Sequence, residues 1–354
     1  MLIPNSFKAA VLEEPGKPLR IIENIKIPKL EKGQILVKIA YSGVCHSQLM
    51  EVRGLRGPDI WTPHLLGHEG TGTVVTIGKG VSKVKVGQKV VLGWIKGSGL
   101  DSGGAVFIGP NNEKINAGAV TTFSDYSIVS ENRVVPLPIG TPLKYGVLYG
   151  CALPTGAGIV LNSIQPKKND SLLVFGLGGI GLSALMAAKG LGMEDIIAVD
   201  IEQDKLKLAV DLGAKAVING KSQNVYQEIM KLTNNSGVDF AIEASGIAES
   251  IETAFSLIKR SGRCIFASHP KHGDKVCIDP FELISGKSLE GSWGGDSKPD
   301  RDIEILGSLY REGMFELDKI ISEPYSLEQI NTALDDIEAR KITRALIEID
   351  PEQE

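Results

Sequence analysis

From Leu172 onward the hydrophobic positions recur in blocks. The run LLVF ends in glycines, a helical stretch follows, and then come IIAVD, the helical QDKLKLAVDLGA and a short AVI. VDFAIEA, a helix from about Ala248 to Lys259 and GRCIFA continue the alternation. Short apolar runs separated by helix-period segments predict a parallel sheet with helices on both faces. The first 150 residues are patterned differently: QILVKIAYSG, GTGTVVTIG, KVVLGW and DYSIVS are β-like runs divided by Gly, Pro and Asn. That pattern predicts a mostly-β domain with irregular loops. After about Trp293 the period is helical again, in DRDIEILGSLYREGMF and SLEQINTALDDIEAR, and the chain closes on a strand-like RALIEID. The pattern does not decide whether that last run rejoins the first domain.

Length and charge narrow the reading. A chain of 354 residues is too long for one ordinary core, so two domains are expected. The formal charge is −5 and the pI about 5.7, so no nucleic-acid or anionic-membrane partner is expected. Ser171–Met193 is long and apolar enough to suggest a membrane span. It is rich in glycine and flanked by alternating strand and helix patterns, and reads instead as a buried strand, a turn and a helix. The N-terminal MLIPNSFKAAVLEEPG has no sustained apolar stretch, so no secretory signal is expected. The four cysteines, Cys45, Cys151, Cys264 and Cys277, form no CxxC. Disulfides are therefore not expected, and a reducing, cytoplasmic compartment is.

VFGLGGIGLSA contains GxGxxG as Gly176, Gly178 and Gly181, with Gly179 additional. The first glycine permits a tight turn, the second lets backbone approach a pyrophosphate, and the third lets the helix pack closely on the strand. The helix N-terminus offers free N–H groups to phosphate. Asp200 ends the next strand-like run, 19 residues after Gly181, where a carboxylate can accept from an adenosine ribose. The context predicts a dinucleotide site, and the carboxylate favours NAD over NADP. Lys205 reads either as a partner for a phosphate or ribose hydroxyl, or as a solvated helix lysine.

Cys45 in GVCHS, His68 in LLGHEGTG and Cys151 in YGCALPTGAG are each unremarkable when taken singly. Two thiolates and one imidazole are also a catalytic zinc set with a fourth position left open. Their spacing does not show that they converge. GVCHS, GHEGTG, a cysteine shortly before GLGGIG, the VD ending at Asp200 and GVDFAIEASG together resemble the zinc-dependent alcohol dehydrogenases of the medium-chain dehydrogenase/reductase (MDR) superfamily. The resemblance covers nearly the whole chain. It implies an α/β protein with a GroES-like mostly-β catalytic domain, residues 1–152, and a Rossmann coenzyme domain with a doubly wound parallel sheet, residues 153–293. It implies a C-terminal return to the catalytic domain over 294–354. It also implies that Cys45, His68 and Cys151 hold zinc, that Glu69 approaches or replaces a ligand or stands behind the metal, and that Ser47 takes the alcohol proton. His46 and Arg344 match basic residues that reach the pyrophosphate. Trp94 and His269 match positions near the substrate.

Three departures stand against the resemblance. The segment from Trp94 to Tyr126 lacks the four cysteines with which many members bind a structural zinc, so one catalytic zinc per chain is expected and no structural one. Gln48 replaces an aspartate that orients the zinc-binding histidine; an amide can still orient His68, but without charge. Met50 replaces a histidine at the outer end of the proton relay, so the relay is expected to end at ribose hydroxyls or water. Arg53 and Arg56 precede the zinc histidine and either meet a polar, polyhydroxy or anionic substrate or are solvated. The leading expectation is NAD-linked interconversion of an alcohol with its aldehyde or ketone. A zinc-free MDR reductase and a non-catalytic NAD(H)-binding sensor or scaffold are the alternatives. A homodimer or homotetramer is expected, with Lys275–Leu283 as a candidate sheet edge.

Overall fold

Strand Gln34–Val44 organises the first unit because its alternate residues serve different cores. Ile35, Val37 and Ile39 pack with Val74, Leu92, Val129 and Val134. Leu36 packs with Phe7, Ile25, Phe107 and Ile115, and Val44 joins a third core with Leu49, Leu66, Phe123 and Ile347. Two-residue periodicity in a strand covered on both faces gives this partition. The computed structural model describes residues 4–354.

This unit comprises residues up to Cys151 together with Lys298–Arg311 and Ile321–Glu354. Strands Ser6–Leu12, Arg20–Lys26, Val106–Ile108, Lys114–Asn116 and His64–Leu65 close a barrel. Strand Gln34–Val44 lies inside a seven-stranded sheet, between Glu69–Ile77 on one side and Ala345–Glu348 on the other, and also pairs with Tyr126–Ser130. The last strand pairs antiparallel, with Ala345 opposite Val44 and Glu348 opposite Tyr41. The closing run RALIEID therefore returns to the β-rich unit.

The second unit comprises Ala152–Ser297 and Glu312–Ile320. Its six strands are all parallel, in the spatial order Ala216–Asn219, Asp195–Asp200, Ser171–Phe175, Val238–Glu243, Ile258–Phe266, Ser288–Gly291. Numbered along the chain, this is the 3-2-1-4-5-6 order of a Rossmann fold, whose switch point lies between the strands ending at Phe175 and Glu243. Leu173, Ile197, Val199, Ile229, Ala241 and Phe255 fill one side of the sheet. Helix Gly179–Gly190 is buried over most of its surface, which accounts for the apolar character of Ser171–Met193. No single helix among the described residues is long and apolar enough to cross a membrane.

Two elements differ from the pattern reading. The helix beginning at Ala248 ends at Ser256, because the chain enters a strand at Ile258, which pairs with Val238. The sheet edges are Ser288–Gly291 and Ala216–Asn219, not Lys275–Leu283; residues 275–278 form no strand, and Pro280–Ile284 is a short helix.

Candidate functional site

Cys45 follows strand Gln34–Val44 and caps helix His46–Val52. His68 immediately precedes strand Glu69–Ile77, and Cys151 follows the turn Val147–Gly150. The fold brings them together: one sulfur or ring nitrogen from each lies within 4.8 Å of the others. The two Sγ atoms are 3.9 Å apart. Zinc–sulfur bonds of about 2.3 Å at a tetrahedral angle give an S···S edge of about 3.8 Å. His68 Nε2 is buried without a hydrogen-bond partner, a position that costs free energy unless something binds there. Donor types, spacing and the orphaned nitrogen all fit zinc.

The three donors perturb one another's protonation. The hydrogen bond from Cys151 holds the Cys45 thiol well below the ordinary cysteine range, against the opposing effect of burial, and Arg344 and His68 assist. Cys151 is pushed well above that range by the same hydrogen bond and by burial. Burial acts to lower His68, but the interaction with Cys45 outweighs it and raises its pKa.

Glu69 lies fully buried beside this set, and its Oε1 pairs with the Arg344 guanidinium, itself 5% exposed. Burial raises the Glu69 pKa and the Arg344 charge opposes the rise. Glu69 Oε2 and Arg344 Nε have no partner. The structure thus places Glu69 behind the three donors, bound to Arg344, and gives Arg344 a carboxylate partner that the sequence reading had not assigned.

In the second unit, Gly176 has φ +83° and closes the turn after strand Ser171–Phe175. A Cβ on Gly181 would stand 1.9 Å from the Gly176 carbonyl oxygen, so close packing requires glycine there. A Cβ on Gly178 would meet nothing within 4 Å. Protein packing does not demand a glycine at that position, which leaves open room for backbone to approach a ligand, as a pyrophosphate needs. Gly179 begins helix Gly179–Gly190. Asp200 Oδ2 accepts from the Leu177 N–H at 2.7 Å, and Oδ1 accepts from Ile201 and Glu202 N–H. Lys205 is half-buried on helix Gln203–Asp211.

Residues 31–139 match the alcohol dehydrogenase GroES-like domain, and residues 179–308 match the zinc-binding dehydrogenase domain. The chain is 30% identical to an S-(hydroxymethyl)glutathione dehydrogenase of Paracoccus denitrificans, over 96% of this chain and 99% of that one. It is 31% identical to alcohol dehydrogenase 6 of Peromyscus maniculatus, over 92% and 93%. The chain belongs to the zinc-dependent alcohol dehydrogenase family of the MDR superfamily. The crystal structure of benzyl alcohol dehydrogenase from Acinetobacter calcoaceticus superposes with a TM-score of 0.88 at 29% identity, covering 98% of this chain and 100% of that one. As a zinc-dependent MDR protein it is an oxidoreductase, with a GroES-like and a Rossmann domain.

Ser47 is half-buried in the first turn of helix His46–Val52, His46 is exposed, and Met50 is buried. Gln48 Oε1 accepts from the Gly67 N–H, directly before His68 in the chain. Trp94 packs against the core of Ile35, Val37 and Leu92, and its carbonyl accepts from Arg133. His269 is exposed after strand Ile258–Phe266. Arg53 is held by Asp335 at 2.5 Å and Glu338 at 2.7 Å, and Arg56 lies 3.4 Å from Glu51, so each has an acidic neighbour on the protein itself.

Sequence reasoning missed two groups. Glu51, Asp59 and His64 converge, with His64 Nε2 2.8 Å from Asp59 and Nδ1 2.9 Å from the Leu65 carbonyl. Glu131, 2% exposed, accepts from Ser82, Lys83 and Leu100 N–H at 2.6, 2.9 and 2.8 Å. Its only sequence signal is a carboxylate directly after the apolar strand Tyr126–Ser130.

Proposed function

We propose that the protein is an NAD-linked alcohol dehydrogenase of class EC 1.1.1.-, interconverting an alcohol with its aldehyde or ketone, with one catalytic zinc per chain held by Cys45, His68 and Cys151 and no structural zinc. Two cysteine sulfurs 3.9 Å apart with a His68 ring nitrogen within 4.8 Å of them carry this reading. When bound, zinc supplies Lewis acidity at the alcohol or carbonyl oxygen and NAD supplies the hydride acceptor.

The chain's own residues do the rest. Cys151 gives up its proton on metal loading, since thiolates are the ligands, so loading is favoured by higher pH. Glu69, paired with Arg344, stands behind the donors rather than serving as a resting ligand. Ser47 takes the alcohol proton. Met50 has no useful acceptor for it, so the proton passes to water or a ribose hydroxyl. Gly176, Gly178, Gly179 and Gly181 form the pyrophosphate turn, and Asp200 selects the unphosphorylated ribose. Lys205, His46 and Arg344 are the cations assigned to the cofactor, and Trp94 and His269 are assigned to the substrate side. The units described above serve as catalytic and coenzyme domains. The loop arginines have acidic neighbours, which favours an uncharged alcohol over an anionic one. Four free cysteines suit a reducing, cytoplasmic setting. Exposed Phe281, Leu283 and Ile284 near the sheet edge suit a homodimer or homotetramer.

The test is a panel of primary, secondary and aromatic alcohols with NAD and with NADP. NAD-dependent oxidation is expected, and Ser47→Ala should lower kcat about 10²–10⁴-fold. Binding of NADH with no turnover of any alcohol or carbonyl would favour the sensor, and NADPH-dependent, metal-independent reduction the zinc-free reductase.

A further inference from the structure

The Leu66–Gly67 peptide, one residue before His68, is hydrogen-bonded at both of its polar groups. The Leu66 carbonyl accepts from Thr122 N–H at 3.0 Å and from Phe123 N–H at 3.1 Å. On the opposite edge of the plane, the Gly67 N–H donates to Gln48 Oε1. Gly67 has φ +90°, and a Cβ there would stand 2.4 Å from Thr122 Oγ1. Backbone conformation and space both require glycine. The backbone is therefore held from both sides one residue before His68, and Gln48 supplies one side of the clamp.

A primary amide can make such a clamp only in one sense. If flipped, Gln48 would present N–H to N–H. The sense is set by the other end of the amide: Gln48 Nε2 donates to Glu51 Oε2 at 3.1 Å. An ionised carboxylate can only accept, so Glu51 draws Nε2 toward itself and leaves Oε1 for Gly67. Glu51 is three residues further along helix His46–Val52, on the same face as Gln48. Its carboxylate lies 3.4 Å from Arg56 and 3.9 Å from His64 Nε2. Gln48 is 4% exposed, so water does not readily substitute for either partner.

We propose that Gln48 and Glu51 are positioning residues for His68: Glu51 fixes the sense of the Gln48 amide, and the amide holds the Leu66–Gly67 peptide from which the backbone turns through Gly67 into His68. The proposal rests on the zinc site proposed above. Neither side chain hydrogen-bonds a metal donor, so the effect passes through the backbone. Outer groups that orient ligands this way typically change metal affinity or activity by about 10–100-fold.

The test uses the full chain, as wild type, Gln48→Ala, Glu51→Ala, Glu51→Gln and the Gln48→Ala/Glu51→Ala double variant. Zinc affinity is read by competition with a chromogenic chelator, and donor geometry by the visible ligand-field bands of the cobalt(II)-substituted protein. Gln48→Ala should weaken zinc about 10–100-fold and alter the cobalt bands. Glu51→Ala should act in the same direction, Glu51→Gln should recover part of the loss, and the double variant should be no weaker than Gln48→Ala alone, because Glu51 acts only through the amide. Should Gln48→Ala not fold, the Glu51 pair still decides: a loss in Glu51→Ala that Glu51→Gln partly restores supports the proposal. Wild-type affinity and spectra in every variant, or losses that add in the double variant, would overturn it. A wild-type protein that binds no zinc would instead overturn the metal site itself.

Discussion

Glu69 has no exposed surface and sits beside two cysteines, so its charge depends on one neighbour. Arg344 supplies that neighbour from 275 positions away in the sequence. Removing one member of a buried pair leaves an uncompensated charge and costs about 3–5 kcal/mol. Arg344→Leu should therefore lower the urea midpoint at neutral pH by a corresponding amount, while Arg344→Lys, which keeps charge but loses the planar fork, should lose less. Equal stability of Arg344→Leu and wild type would show that Glu69 takes up a proton at no cost, or that the pair is not formed. At this scale the sequence was partly legible. Cys45, His68 and Cys151 could be picked out by residue type and by resemblance. The Arg344–Glu69 contact and the turn of Gln48 toward Gly67 could not, because each depends on where a side chain points after distant strands have paired.

Among elements, the lobe from Trp94 to Tyr126 raises the question of what holds a segment that lacks the cysteines of many relatives. Glu131 ties Leu100 of that lobe to the turn at Ser82 and Lys83 by accepting from all three N–H groups, and Asp300, paired with Lys83, accepts from the Ser98 N–H of the lobe. Burial acts to raise the Glu131 pKa, but the N–H donors from Ser82, Leu100 and Lys83 together outweigh it, and the net shift is downward. A depressed folded-state pKa stabilises the fold above the unfolded value, about 4.3 for Glu, and that contribution is lost as pH falls through the folded value. Glu131→Gln should therefore cost about 1.5–3 kcal/mol at neutral pH, and its difference from wild type in urea unfolding should shrink below about pH 4. A difference independent of pH would mean that the carboxylate's charge is not what holds the lobe. Strands and helices themselves were largely legible, since VDFAIEA and IIAVD carry the run length and flanking glycines of parallel strands. The helix end at Ser256 was not. Nothing local breaks a helix before Lys259, and the strand pairing of Ile258 with Val238 decides the boundary.

Across the whole molecule, the site is built by long-range returns. Strand Ala345–Glu348 pairs with Gln34–Val44, and Cys151 reaches Cys45 across 106 positions. Hydrophobic periodicity carries no information at that range, which is why pattern alone left the closing run unassigned and the three zinc donors unconnected; resemblance to a family supplied both. The central claim is that these returns build one metal site and that the chain has no other zinc. Elemental analysis of protein purified without metal-affinity resin, as wild type and Cys45→Ser, tests it most directly. The account predicts about one zinc per chain in wild type and its loss in the folded variant. Near-zero zinc in folded wild-type protein that still binds NADH, or two zincs per chain, would contradict it.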